Sequence, residues 1–275
     1  MSDVYSAVEG RFGAVELQEI PHNLIAHAHE HMQFAFWIGG GTAHSNIGKE
    51  RARYSGAYAI GINRYQSHDF ILDDPDKPAI ILYLYMHLPW LDDVCKDLGN
   101  PVSLQPSQII QTPEMRVAAW KLMRRITSLK EGPIQKIDLE VIELIRLTIQ
   151  QAAYQMLPRV WPVRRKLLDY RLRLVLSFMK NNSASNASIG DVAKRVGLSR
   201  SRLYELFQNE LGSTPQIVWN SMLTERAMEI VRGSSDNLSV VASKLGFSTA
   251  GNFSRYFRSV MGMSPFAYRK ITVQH

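Results

Sequence analysis

The sequence of 275 residues contains a single cysteine, Cys95. One cysteine excludes disulfide bonds within the chain and argues against a zinc site built from cysteines. We therefore expect Cys95 to be a small, buried apolar residue, and not a reactive or metal-binding one.

Long apolar segments are also lacking. The longest apolar run, from Ala79 to Met86, has eight residues, far fewer than the roughly 20 that a membrane-spanning helix needs. The first residues show no basic stretch followed by an apolar one, so no signal peptide is predicted. These absences predict a cytoplasmic protein that has no membrane partner.

Positive charge is concentrated in one part of the chain. Residues 165–275 carry 16 Lys and Arg against 7 Asp and Glu, a net charge of +9. Residues 1–164 carry 16 against 18, a net charge of −2. A basic segment of this kind is typical of a domain that contacts phosphate groups.

The basic part contains one apolar pattern twice. The second copy follows the first at an offset of 49 residues, which becomes 50 after Ser248. Each copy predicts a short helix, a glycine turn and a second helix, over about 188–213 and 237–263. The matching positions are Ile189/Leu238, Val192/Val241, Ala193/Ala242, Gly197/Gly246, Ser199/Ser248, Leu203/Phe253, Phe207/Phe257, Gly212/Gly262 and Pro215/Pro265.

The second helix of each copy is expected to bury an apolar face and to expose a polar one. DNA-reading helices contact base edges with their N-terminal half, so both helices predict contacts to double-stranded DNA. Arg202 and Arg255 suit guanine edges or phosphates, Glu205 suits cytosine, Asn252 suits adenine, and Arg258 suits phosphate. The predicted DNA-binding residues are Ser199, Arg200, Ser201, Arg202, Tyr204, Glu205, Ser248, Thr249, Asn252, Ser254, Arg255 and Arg258.

These residues resemble a known family. The stretch from Ile189 to Phe207 and the stretch from Leu245 to Arg269 look like the DNA-binding domain of AraC/XylS-type transcriptional regulators. Thr224-Glu-Arg-Ala-Met-Glu-Ile-Val is similar to the helix that links the two units in that family. The resemblance implies a sequence-specific, effector-responsive activator that contacts RNA polymerase, is not an enzyme and needs no cofactor. A repressor of the same family is the alternative.

The linker between the copies is predicted to be helical from about Ile217 to Val231. Fifteen residues at 1.5 Å each make a rod of about 22 Å. A rod of this size suits two reading helices that lie about one DNA turn apart, roughly 34 Å. Because the copies are in tandem, we expect two unlike elements in the same orientation, about 17–20 base pairs in all.

The first part of the chain, up to about residue 105, has short apolar runs separated by Gly, Pro and Asp turns, which predict a small barrel or jelly roll. The order of His29-Glu-His31, an aromatic strand, a Gly turn and His68 resembles the cupin-type sensing domain found ahead of such DNA-binding domains. Ala57 departs from that pattern, because an acidic residue commonly follows the Gly. The predicted fold class is therefore α+β, with a cupin-like β-barrel and a helical segment before an all-α domain of two helix-turn-helix units.

A pocket for a small organic effector is predicted inside the barrel. A metal site is the alternative, because His27, His29 and His31 alternate along the chain and His68 could join them. It would make the chain a cupin metalloenzyme fused to a DNA-binding module. A metal cupin normally adds a Glu that is missing here, which favours the organic pocket over a metal; plain hydrogen bonding is a third role for the histidines. The predicted pocket residues are His29, His31, Phe34, Phe36, Tyr58 and His68.

A helical segment lies between the two parts, with helical spacing in Pro113–Leu129 and Ile137–Tyr154. The second helix has two apolar stripes, which either form a homodimer or are both buried within one chain. The predicted domains are a sensing and dimerisation domain at 1–156, a linker at 157–167 and a DNA-binding domain at 168–275.

Overall fold

The computed structural model describes residues 4–98, 104, 107–128, 134–156, 168–182 and 188–271. The strands are β1 (Val4–Gly10), β2 (Gly13–Ile20), β3 (Leu24–His27), β4 (Met32–Gly40), β5 (Ala43–Ile47), β6 (Glu50–Tyr54), β7 (Tyr58–Ile62), β8 (His68–Leu72), β9 (Ala79–Met86) and β10 (Gln108–Ile110). The helices are α1 (Leu88–Val94), α2 (Pro113–Ser128), α3 (Ile134–Met156), α4 (Tyr170–Asn181), α5 (Ile189–Arg195), α6 (Arg200–Leu211), α7 (Pro215–Gly233), α8 (Leu238–Lys244), α9 (Ala250–Met261) and α10 (Pro265–Ile271).

The strands form two antiparallel sheets. The larger sheet has the order β1-β2-β9-β4-β7-β10, and the smaller sheet has the order β3-β8-β5-β6. From β3 to β9 the chain passes repeatedly from one sheet to the other, so the sheets face each other across a shared apolar core. The mixed α and β fold agrees with the sequence prediction. Over the described residues, however, these strands leave two open sheets where a closed barrel was expected.

The larger sheet is buried on both faces. Successive side chains of a strand point to opposite faces. Ala35 of β4 belongs to the core between the sheets, whereas Phe34 and Phe36 belong to a second core on the other face. A strand buried on both faces has a continuous apolar run without alternation, as β9 has.

Helices α2 and α3 cover the second face of the larger sheet. Both predicted stripes of α3 contribute to this core, and Val141, Leu144 and Ile145 are fully buried. The two stripes are thus satisfied within one chain, which was one of the two sequence interpretations. Outside these stripes, apolar side chains are exposed on both helices: Val117 (68%) and Trp120 (47%) on α2, and Leu139 (68%) and Tyr154 (70%) on α3.

Helices α4 to α10 form two units with separate cores. In the first core, Leu203 and Phe207 of α6 pack with residues of α4, α5 and the first half of α7. In the second, Phe253 and Phe257 of α9 pack with α8, α10 and the second half of α7. Helix α7 therefore joins both units. It has 19 residues, a length of about 28 Å, and exceeds the predicted rod because Thr214 caps it and Pro215 begins it.

The sheets and the helical units contact each other through several residues. The Tyr65 ring is buried in the core of the first helical unit. Glu30 pairs with Lys180 at 2.8 Å, and Glu9 pairs with Arg232. Strand β3 lies against α7 and α9. The predicted linker at 157–167 lies outside the described residues.

Candidate DNA-binding face and ligand cavities

The first helix-turn-helix unit consists of α5 and α6. Ser188 and Asp191 cap α5 reciprocally through their side chains and backbone N–H groups. Gly197 turns the chain with a φ of 68°, a conformation that glycine adopts at little cost. Ser199 then caps α6 by accepting a hydrogen bond from the backbone N–H of Arg202. Both the glycine turn and this cap are as predicted, and together they fix where α6 begins.

The second unit, formed by α8 and α9, has one extra residue before its second helix. Thr249 therefore caps α9 by accepting from the backbone N–H of Asn252. The Ser248 hydroxyl accepts from the Asn252 side-chain amide at 2.7 Å, and Arg255 donates to the Asn252 Oδ1 at 2.6 Å. Aligning the copies at their serines hid the shifted cap, because the insertion follows Ser248.

The predicted DNA-binding residues lie on α6, on α9 or on the caps before them. Arg202 donates to Glu205 at 2.7 Å, so the two side chains present a donor and an acceptor side by side. Arg200 lies over the Tyr204 ring at 5.7 Å. Tyr204, Asn252 and Ser254 are half-buried. The exposed members are Ser199, Arg200, Ser201, Arg202, Glu205, Ser248, Thr249, Arg255 and Arg258.

Tyr256 holds α9 against the linker helix α7. Its hydroxyl donates to the backbone carbonyl of Asn220 at 2.8 Å and lies 2.8 Å from the Thr224 hydroxyl. Burial raises the pKa of Tyr256 to about 12, so the hydroxyl remains a neutral donor at physiological pH. Since α7 also packs against α6, this contact helps to set the angle between α6 and α9.

Three histidines of the sheet domain lie together in a small cavity. The rings of His27, His29 and His68 are 4.3 to 5.2 Å apart between centroids. Nδ1 of His27 lies 2.7 Å from the Ile25 carbonyl, and Nδ1 of His68 lies 3.0 Å from the Gln66 carbonyl. Burial lowers the pKa of all three, so each ring is neutral near pH 7. We call these three residues the histidine trio.

The trio contains two of the six predicted pocket residues, His29 and His68. His31 lies instead in a larger cavity, where its ring is 4.8 Å from that of His87. The sequence pattern treated His29 and His31 as a pair. In the structure His27 takes that place beside His29, because His27 ends β3 next to β8, which begins at His68.

The three aromatic residues of the predicted pocket lie elsewhere. Phe34 and Phe36 pack in the core beneath α2 and α3, and Tyr58 lines neither cavity. Phe34 and Phe36 share one face of β4, as the alternation along the strand predicts. Alternation alone does not show which face of a doubly buried strand meets a cavity.

The larger cavity has a volume of about 680 Å³ and lies between the sheet domain and the helical units. No sequence pattern predicts this cavity, because its wall combines segments that are distant in the chain. Arg64 already pairs with Glu30 at 2.8 Å, and Glu225 approaches His31 at 3.7 Å. Its ionisable lining residues are Glu9, Arg11, Glu16, His29, Glu30, His31, Arg64, Tyr85, His87, Lys180, Glu225, Glu229, Arg232 and Tyr268.

Glu16 is a buried acid in the wall of this cavity. Burial raises the pKa of its carboxyl to about 7. The nearby Glu225 raises this pKa too, whereas the hydrogen bond that Gln18 donates lowers it. Glu16 therefore changes charge close to physiological pH.

Replacing Glu16 with glutamine is expected to stabilise the protein above pH 7. The raised pKa makes the folded state bind more protons than the unfolded state between about pH 4.5 and 7, so wild-type stability falls as pH rises through this window. Urea unfolding should show Glu16→Gln more stable by roughly 2–3 kcal/mol at pH 8, with no difference below about pH 4.5. Glu19→Gln on the same strand is the matched control. An equal gain at all pH values would contradict the assigned cause.

The helical part of the chain matches known proteins. Residues 192–271 match the family described as a helix-turn-helix domain. RafR, the raffinose operon transcriptional regulatory protein of Pediococcus pentosaceus, is 29% identical over 100 residues, 36% of either chain. RhaS, an HTH-type transcriptional activator of Escherichia fergusonii, is 29% identical over 102 residues, 37% of either chain. The chain thus spans little more than a third of the length of these relatives.

The fold as a whole is similar to that of a solved protein. ToxT from Vibrio cholerae superimposes with a TM-score of 0.58 at 12% identity, over 95% of this chain and 98% of that chain. A structure of ToxT with a bound unsaturated fatty acid gives a TM-score of 0.57 at 13% identity, over 97% and 95% of the chains. At this identity the likeness concerns the fold alone.

The C-terminal region of the chain is a helix-turn-helix domain of the AraC/XylS type, which confirms the resemblance seen in its sequence. Another matched relative is the lactose operon transcription activator of Staphylococcus xylosus, which is 25% identical over 130 residues, 45% of this chain and 47% of that protein. Among the described residues, none of the helices combines the length and the apolar character needed to cross a membrane.

Proposed function

We propose that the chain is a sequence-specific DNA-binding transcription regulator that reads two adjacent major-groove segments with α6 and α9. The observation that carries this proposal is that α6 and α9, the two candidate recognition helices, are each capped, partly exposed and packed against one linker helix, α7. RafR, named a transcriptional regulatory protein, and RhaS, named a transcriptional activator, support it. The sensing part would occupy 1–156 and the DNA-binding part 168–275.

The reading residues proposed for α6 are Arg202 and Glu205. Their ion pair positions a donor and an acceptor one turn from the helix start, as direct readout of a guanine and of a cytosine requires. On α9, Asn252 and Arg255 contact each other. We expect Arg255 to contact a guanine edge or a phosphate, which would free Asn252 to pair with adenine.

Selection of bound DNA from a random library tests this proposal, with the full chain at physiological salt. We expect two unlike elements in the same orientation, about one helical turn apart. Glu205→Ala should change the base preference at one position of one element. Enrichment of no sequence, despite binding at low salt, would reduce the basic part to an electrostatic contact and would refute the proposal.

Arg258 is expected to contact a phosphate, because it lies exposed on the third turn of α9, beyond the residues proposed to face the bases. Arg258→Ala should weaken binding to all sequences about equally and reduce the slope of log K against log salt by about one. Titrations at four salt concentrations, with Arg226→Ala on α7 as the control, measure this slope. A change in base preference with an unchanged slope would assign Arg258 to base reading.

The effector is proposed to bind in the 680 Å³ cavity between the domains. ToxT binds an unsaturated fatty acid. This cavity instead has carboxylates as well as cations in its wall, which suits a small polar organic molecule better than a fatty acid. An effector that contacts both domains would favour one arrangement of them, and so shift the population that binds DNA.

Activation through contact with RNA polymerase and action as a homodimer in the cytoplasm complete the proposal. RhaS and the Staphylococcus xylosus lactose operon protein are named activators, which favours activation over repression.

The stripes of α3 are buried, so the dimer contact is proposed at the exposed Val117 and Trp120 of α2. Sedimentation of Trp120→Asp beside wild type tests it: a monomeric variant would support the contact, and an unchanged dimer would exclude it.

A further inference from the structure

The histidine trio has unpaired buried nitrogens that DNA reading does not use. In the part of the chain that the structure describes, Nε2 of His29 and Nε2 of His68 are buried without a hydrogen-bond partner. A buried polar atom that lacks a partner costs about 1–3 kcal/mol. Two such atoms within one small cavity indicate that a ligand completes the site.

Two members of the trio, His27 and His68, are also oriented as metal-binding histidines are. A histidine that binds a metal through one ring nitrogen usually donates the other N–H to a backbone carbonyl or a carboxylate. In His27 and His68 the Nδ1 atoms contact the carbonyls of Ile25 and Gln66. This contact leaves each Nε2 unprotonated and available as a ligand.

The three rings lie close enough for one ion. Each offers a nitrogen within 4.8 Å of the others. A Zn–N bond of about 2.1 Å sets ligand nitrogens roughly 3.4 Å apart in a tetrahedral site, so small ring rotations would complete it. The Gln33 side-chain Oε1, also buried and unpartnered among the described residues, lines the same cavity and supplies an oxygen for a fourth position or for a bound water.

The cavity reaches the second reading helix. Val260 and Met261, at the end of α9, line it together with the trio. Strand β3, which ends at His27, lies against α9 and α7. An ion bound by the trio would therefore fix the position of β3, and with it the surface on which α9 rests.

We propose that His27, His29 and His68 bind a late first-row divalent ion such as Zn²⁺, and that this ion controls the position of α9 relative to β3. Imidazole nitrogens are suitable ligands for these ions and poor ones for magnesium or calcium. The binding site is proposed independently of the chain's function, whereas the effect on α9 depends on the proposed DNA binding.

Metal analysis of the full chain tests the site without DNA. After treatment with a chelator and dialysis against Zn²⁺, we expect one ion per chain by mass spectrometry of the metal content. Competition with a coloured chelator should show binding weakened by about 100-fold or more in His29→Gln and in His68→Gln. His44→Gln, which alters a histidine of the same domain that bonds Asp73, should bind as wild type does. Circular dichroism verifies that each variant is folded.

No tight Zn²⁺ binding by wild type, or equal binding by His68→Gln, would overturn the site. The DNA arm compares affinity for a selected site with and without Zn²⁺. We expect a change of about tenfold or more in wild type and none in His68→Gln. If the protein binds Zn²⁺ but its DNA affinity does not change, the proposed control of α9 is overturned while the metal site stands. Failure to bind DNA under any condition would instead count against the proposed function.

Discussion

Replacing Phe257 with alanine is expected to abolish recognition of one DNA element while the other is retained. Phe257 is fully buried in the second helical core, with ring centroids 5.7 Å from Phe253 and 5.6 Å from Tyr268. Removing a buried aromatic ring costs about 3–5 kcal/mol. A unit this small has a low free energy of unfolding, so a loss of this size is a large part of it. Helix α9 should therefore lose its fixed position.

The effect should remain local because the two helical units have separate cores. Footprinting of Phe257→Ala on a selected site should show protection of the α6 element only, with affinity reduced by about 100-fold or more. Phe207→Ala, the equivalent change in the first unit, should leave protection of the α9 element only. Equal loss of both elements in the two variants would show that the units fold as one body.

The equivalence of Phe207 and Phe257 was visible in the sequence because a duplicated apolar pattern reports packing at each position independently. The same holds for Gly197, whose turn needs a positive φ. The shifted cap at Thr249 could not be found in this way, since a single inserted residue changes hydrogen bonding without changing the apolar pattern.

The cavities of the first part were less predictable. Helical and strand periods describe which residues share a face of one element, whereas a cavity depends on which elements meet. The histidine trio needs β3 and β8 to be neighbours, and the larger cavity needs Glu16 of β2 to lie near Glu225 of α7. Neither contact leaves a periodic signal in the sequence. For the same reason, Phe34 was placed on the correct strand but beside the wrong neighbours.

Tyr65→Ala is expected to separate the sheet domain from the helical units. The ring of Tyr65 is fully buried in the core of the first helical unit, and Arg64 donates to its hydroxyl at 2.9 Å. Removing it costs about 3–5 kcal/mol of contact between the domains. That loss is larger than the stabilisation from the partly exposed ion pairs that would remain, such as Glu30 with Lys180. Small-angle scattering should show a larger radius of gyration for the variant than for wild type.

The backbone at Tyr65 provides a second, independent measurement. Its φ of 60° is costly for a residue with a side chain and free for glycine. Tyr65→Gly should therefore separate the domains as Tyr65→Ala does. Its free energy of unfolding, measured in urea, should nevertheless exceed that of Tyr65→Ala by about 1 kcal/mol. Tyr154→Ala, at a tyrosine that is 70% exposed on α3, is the control and should change neither quantity. A radius of gyration that stays at the wild-type value in both Tyr65 variants would assign the contact between the domains to the ion pairs and to β3. It would also place the effect of any effector at those ion pairs, because Glu9, Glu30, Lys180 and Arg232 line the larger cavity.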